Sequence, residues 1–240
     1  MISAIRGNSA AIREISLYIG AYLVYLLTNG LVHADTRAVG LVNGDKIVSL
    51  QKDLGFLWEP GWQSWAVENI KAIVVMMNWV YIITYWPVIL VAAAILFIKN
   101  RRDYNFYRAV VLVDLAGALL TFMIFPVASP FAIPAVELLD TIQEYGPRFY
   151  GSEDMTSYYN ISAAMPSLHF SWTVILGVLI WKALSGWRRI LGLLYPVLTF
   201  FAIVLTGNHF ILDAMAGGAL AALAFGLVWL LRLTVWPVRT

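Results

Sequence analysis

Two histidines and one aspartate are the residues of this sequence best suited to chemistry. His169 lies in Ala164-Met165-Pro166-Ser167-Leu168-His169-Phe170-Ser171-Trp172, and His209 in Thr206-Gly207-Asn208-His209-Phe210-Ile211-Leu212-Asp213. His209 and Asp213 are four apart, so on a helix they share a face. A carboxylate there accepts the imidazole N–H, fixes the tautomer and makes the free nitrogen more nucleophilic. Pro166 suits the first turn of a helix. The exposed N–H groups of that turn, with the Ser167 hydroxyl, form a ready anion site. A phosphate ester needs donors for its equatorial oxygens, a nucleophile, and an acid for the leaving group. Two other readings stay open. A His/His/Asp set has suitable metal-ligand types at a loose spacing, and each histidine alone is explained by an ordinary helix-end hydrogen bond.

These residues sit in an unusually apolar chain. Of 240 residues, 61% are hydrophobic and 12% are charged, against about 25% charged in a soluble domain. That points to lipid as solvent, and the 10 Trp and 12 Tyr fit residues that favour the headgroup level. The net charge of +2, with no basic stretch interleaved with aromatics, argues against nucleic acid as a partner. The absence of cysteine excludes disulfides, thiolate chemistry and cysteine–metal sites.

A span needs about 20 mostly apolar residues. The candidates are Ile15–Val32, Ala72–Ile98 with a kink at Pro87, Tyr107–Phe125, Met165–Leu184, Ile190–Thr206 and Phe210–Leu231. The fold class expected is therefore all-α, a six-helix membrane bundle forming one domain over residues 1–240. Between the first two spans, Thr36–Trp65 is polar and amphipathic. Within it, Gly44–Leu57 places Ile47, Leu50, Leu54 and Leu57 on one helical face. With Trp58, Trp62 and Trp65 following, it reads as an interfacial helix. The Pro-rich connection Pro126–Ala164 carries one short helix near Val136–Tyr145. Val32-His33-Ala34 resembles a signal-peptidase site, but the preceding apolar run is longer than a usual signal core. A span is the preferred reading, with His33 an interfacial residue at its end.

Charge gives an orientation. Six spans put Arg6, Arg13, Lys99, Arg101, Arg102, Arg108, Lys182, Arg188, Arg189, Arg232 and Arg239 on one side, which is 11 of the 16 basic residues. That side is cytoplasmic by the positive-inside rule. The two histidine motifs and the Pro-rich connection then face away from the cytoplasm, with the plasma membrane as the expected location.

The stretch Ala163–Thr173 with Pro166-Ser167-Leu168-His169, followed by Gly207-Asn208-His209-Phe210-Ile211-Leu212-Asp213, resembles the type 2 phosphatidic acid phosphatase superfamily. Leu168 before the first histidine, where lipid phosphatases carry Gly, resembles the inositolphosphotransferase-like branch, which includes inositol phosphoceramide synthase. Ile203, where phosphatases carry Arg, points the same way. Leu54-Gly55-Phe56, Glu59 and Asn78-Trp79-Val80-Tyr81 also look like this branch.

The resemblance implies a metal-independent phosphatase or phosphotransferase, without cofactor, acting on a lipid phosphate or phospholipid. It implies that His209 attacks phosphorus to form a phosphohistidine and that Asp213 orients it. His169 then protonates the leaving oxygen, while Ser167, Asn208 and nearby amides bind phosphate oxygens. Where related sequences carry an arginine for the phosphate, Ser129-Pro130-Phe131 has none. Arg148, the one basic residue of the connection, is either a replacement clamp or an ordinary loop charge.

Asp114, inside the third span, has no partner legible in sequence. It is nearly alone among the polar residues of the spans, which argues against the rival reading as a non-catalytic transporter or channel.

Overall fold

The computed structural model describes residues 2–33, 36–147 and 161–231, with side chains at 10–28, 36–147 and 161–231. Arg148 lies outside the described residues. Ten α-helices follow in order among those residues: α1 Ile2–His33, α2 Arg37–Asp53, α3 Glu59–Asn69, α4 Lys71–Ile83, α5 Trp86–Lys99, α6 Arg101–Ile124, α7 Thr141–Tyr145, α8 Leu168–Ala183, α9 Leu191–Leu205 and α10 Ile211–Leu231. Short 3-10 turns occupy Pro130–Ala132, Pro134–Val136 and Gly186–Ile190.

Four segments are long and apolar enough to cross a membrane: Ala10–Thr28 of α1, Arg101–Ile124, Gly186–Leu205 and Ile211–Leu231. The pair α3 and α4 passes the same test together, though bent by 119° between the two. α5 and α8 are apolar but shorter. The outer faces carry Leu120, Leu223, Leu230 and Trp229, all exposed; in water such a surface would be an aggregation liability. This is the build of an all-helical integral membrane protein.

The break expected at Pro87 falls slightly earlier. α4 ends at Ile83, Thr84 and Tyr85 form a turn, and Pro87 sits in the first turn of α5. There its missing N–H has no helical partner to lose.

α8 lies at the centre. Trp172, Ile175, Leu176 and Leu179 pack with Ala118, Leu119 and Phe122 of α6 and with Ala221, Ala224 and Val228 of α10. Glycines allow the backbones to approach. A Cβ on Gly177 of α8 would fall 2.4 Å from the carbonyl of Gly192 in α9, and one on Gly217 of α10 the same distance from the carbonyl of Ser167.

The amphipathic segment is helical, but its buried face is a different one. α2 buries Gly40, Asn43, Gly44, Ile47, Val48 and Gln51, whereas Leu50 and Leu54 are exposed. Small and polar residues face inward because α2 packs on the backbone of the connection. Ala128 N–H donates to Gly40 O (2.9 Å) and Asn43 Nδ2 to Pro126 O (2.9 Å), while Ile133 fills the space over Gly44.

The base of the connection closes on itself. Val127 N–H donates to Ser162 O, Ser129 N–H to Ile161 O, and Ala164 N–H to Val127 O. Its short helix, α7, is half the length expected and starts at Thr141, where Asp140 accepts from the N–H groups of Ile142 and Gln143.

Candidate active site

The two histidine motifs meet at the junction of α8, α10 and the connection. α8 begins at Leu168, one position after Ser167, whose Oγ accepts from Phe170 N–H (3.3 Å). Pro166 therefore precedes the N-cap and is not in the first turn, as the sequence suggested. The N–H groups of Leu168 and His169, first in the helix, have no intrahelical acceptor. Ser167 is fully buried, and its own N–H donates to the backbone carbonyl of Asp213 (3.0 Å).

His169 is clamped between two tyrosines. Its ring stacks on Tyr81 (centroids 4.1 Å apart, planes 19° apart) and on Tyr85 (4.0 Å, 23°). Tyr85 in turn stacks on Trp172. The ring of His209 is 5.9 Å from that of His169.

His209 sits in the turn between α9 and α10. The turn needs Gly207, which has φ +75°, a region that costs a side-chain-bearing residue energy. Phe131 N–H donates to Gly207 O, and His209 N–H to Ile203 O. His209 Nδ1 lies 2.9 Å from the carbonyl of Ala164 and 3.6 Å from Asp213 Oδ2. The closer partner is thus a backbone carbonyl from the first motif, with the carboxylate at ion-pair distance. Asp213 Oδ2 also accepts from Phe210 N–H (2.8 Å) and so caps its own helix. Asn208 turns back on its loop, donating to Thr206 Oγ1 (2.9 Å).

α2, α3 and α4 hold this turn with buried polar groups. Gln63 Nε2 donates to Leu139 O and Leu205 O, and its Oε1 accepts from Leu139 N–H. Glu59 Oε1 accepts from Ile211 N–H (2.7 Å) and Gln51 Nε2 (2.6 Å). Asn78 of α4 exchanges two 2.7 Å hydrogen bonds with Thr141. Asp114 is not partnerless: Ser171, two residues beyond His169, donates to its Oδ2 (2.8 Å).

Gln51, Gln63, Tyr85 and Ala164 were not singled out in the sequence. The two glutamines and Asn78 are amides inside apolar or amphipathic helices, which is the signal that points to them. Tyr85 and Ala164 give no such signal, because one acts through a ring face and the other through its backbone.

His169, His209 and Asp213 come together, as do Ser167 and Asn208 on either side of them. Among the described residues no group of three or more His, Cys, Asp or Glu side chains is placed to hold a metal ion.

The sequence profile of the type 2 phosphatidic acid phosphatase (PAP2) superfamily matches residues 45–227. The chain belongs to the PAP2 superfamily. The match takes in α3 to α9, both histidine motifs and all but the last residues of α10. Neither a curated protein nor a solved structure matches the chain. Membership supports a phosphatase-type lipid phosphoesterase in a membrane.

Proposed function

We propose that this PAP2 superfamily member is a metal-independent lipid phosphatase or phosphotransferase working through a phosphohistidine on His209. The observation that carries the reading is the pairing of His209 Nδ1 with the Ala164 carbonyl at 2.9 Å. A carbonyl only accepts, so Nδ1 carries the proton and the Nε2 lone pair is free. In the first step Nε2 attacks phosphorus and the ester P–O bond breaks. His169 gives a proton to the departing oxygen, and the amides of Leu168 and His169 receive the equatorial oxygens at the α8 N-terminus. In the second step His169 takes a proton from water or an alcohol, whose oxygen attacks phosphorus, and the P–N bond breaks.

Ser167 supports this site by capping the helix that carries those amides. Arg148 is proposed as a further phosphate contact in place of the arginine absent at Phe131, whereas the Asn208 amide is engaged by Thr206 and reaches a phosphate only by giving up those bonds. Six spans suit this arrangement: α1, α4 with α5, α6, α8, α9 and α10. α2 and α3 then lie in the interface with Leu50, Leu54, Trp58 and Trp65 outward, and the site faces the non-cytoplasmic side of the plasma membrane. Such a site reaches headgroups while the acyl chains remain in lipid.

Transfer to an alcohol, as in the inositolphosphotransferase-like branch, is the second reading. Ile203 favours it: the side chain is fully buried in an apolar cluster, where a phosphatase-type arginine would be costly.

The test is purified protein in detergent with a panel of lipid phosphates and phospholipids, with and without chelator. Released phosphate or a transferred headgroup is expected, insensitive to chelator and lost in His209→Ala, together with an acid-labile phosphoenzyme in the wild type. A His209→Ala variant as active as wild type overturns the reading.

A further inference from the structure

Glu59 is a carboxylate with no exposed surface, contributed by α3, far in sequence from the second histidine motif. Its Oε1 accepts the N–H of Ile211, the first residue of α10, and the amide of Gln51. Gln51 Oε1 in turn faces Leu212 N–H at 3.4 Å. Asp213 takes Phe210 N–H. Three successive N–H groups at the start of α10 are thus engaged by side chains, two of them from the Glu59–Gln51 pair.

The two helix N-termini at the site are therefore unlike. α8 leaves its first two N–H groups without an intrahelical acceptor, while α10 is sealed by carboxylates and an amide. An anion is repelled from the sealed end and received at the open one.

We propose that Glu59 is a positioning residue for the histidine site: from α3 it locks the first turn of α10 and thereby the relation of Asp213 and His209 to the α8 N-terminus. The proposal rests on the phosphohistidine reading above. Burying a carboxylate is expensive unless its oxygens are bonded, and Oε2 of Glu59 has no hydrogen-bond partner among the described residues. A residue kept for stability alone gives no reason for that cost, whereas one that fixes a reacting group does.

Glu59→Gln keeps an oxygen that accepts from both Ile211 and Gln51. Glu59→Ala removes it, as Gln51→Leu removes the second support. Activity is read with dioctanoyl phosphatidic acid in detergent micelles. Local opening is read by hydrogen–deuterium exchange of peptides covering residues 205–215. Glu59→Ala is expected to lower kcat about 10- to 100-fold, the scale of a small misplacement of a reacting group. KM should change less than about twofold, and exchange at Phe210 to Leu212 should rise. Gln51→Leu should do the same more weakly, and Glu59→Gln should recover kcat to within about threefold of wild type.

Unchanged exchange in Glu59→Ala overturns the positioning role whatever the reaction is. Raised exchange with unchanged kcat overturns its relevance to the reaction. A Glu59→Gln variant as slow as Glu59→Ala overturns the hydrogen-bond account. If Glu59→Ala fails to fold, Glu59→Gln and Gln51→Leu carry the same comparison. Failure of the phosphohistidine reading is separate, because it appears as activity surviving in His209→Ala.

Discussion

His209 Nδ1 is closer to the backbone carbonyl of Ala164 (2.9 Å) than to the carboxylate of Asp213 (3.6 Å), four residues along in the first turn of α10. The tautomer is therefore held by a group that no side-chain substitution removes. Asp213 Oδ2 also accepts from Phe210 N–H, and in the proposed reaction its carboxylate balances the charge that develops on the ring. Asp213→Asn keeps an oxygen able to cap Phe210 and leaves the Ala164 contact in place. Its kcat should fall about 10- to 100-fold, well short of the ~10⁴-fold loss seen where the carboxylate itself fixes the tautomer. His209→Ala should be inactive. If Asp213→Asn matches His209→Ala, the carbonyl is not what holds the tautomer.

The tyrosine clamp on His169 gives a second expectation. Faces of Tyr81 and Tyr85 on both sides of the ring fix its orientation. Tyr81→Phe keeps the ring face over His169 and should retain more activity than Tyr81→Leu. Tyr81→Leu should lose about tenfold or less, since one stacked ring contact is worth ~1 kcal/mol. The role of His169 as proton donor is checked by changing the leaving group. His169→Ala should lose far more activity on a lipid phosphate than on p-nitrophenyl phosphate, whose leaving oxygen needs little protonation. Equal losses on the two substrates would argue against proton donation.

Much of this site was legible because its residues are chemically out of place. Histidines and an aspartate at the ends of apolar runs stand out; His209 and Asp213 do approach to 3.6 Å, but His209 stands in the turn before α10 and not on a shared helix face. Apolar length made the all-helical membrane build legible, but four segments are long enough to span, and the run Ala72–Ile98 is broken at Thr84 and Tyr85 into α4 and α5. The face of α2 was not, because leucine spacing favours Leu50 and Leu54 while the helix buries Gly40, Asn43 and Gly44. A helix packed on backbone needs small residues and amide donors, which periodicity of large apolar residues does not report. The partner of Asp114 was hidden for another reason: Ser171 is 57 positions away, and only the packing of α6 on α8 brings them together.

Asp140 makes a prediction about pH. It lies outside the spans, in the connection that grips the His209 turn. Burial pushes its carboxyl above the ordinary value of 3.8, and the N–H groups of Gln143 and Ile142 pull it back only in part. A group whose folded pKa is raised stabilises the fold below its unfolded pKa, and that contribution is lost as pH rises through the folded value. Asp140→Asn removes the titration while keeping an oxygen for the cap. Its melting temperature in detergent, relative to wild type, should therefore increase between pH 3 and pH 7. A difference that is flat or falls over that range contradicts the burial effect.

Gly217 tests how tightly the two motifs are held together. It lies one turn beyond Asp213, and a Cβ there would meet the Ser167 carbonyl at 2.4 Å, a backbone atom that cannot swing aside. Gly217→Ala must push α10 away from the start of α8. Overpacking of this kind costs about 1–3 kcal/mol, and the shift separates Asp213 from Ser167, whose N–H donates to the Asp213 carbonyl. Melting temperature should fall, and kcat should fall by more than the loss of folded protein explains. Gly226 is the control in the same helix, since a Cβ there meets nothing within 4 Å. Gly226→Ala should be neutral, or stabilising by about 0.5–1 kcal/mol from helix propensity, with activity unchanged. If both variants behave alike, the close approach of Gly217 to Ser167 is not what sets the spacing of the site.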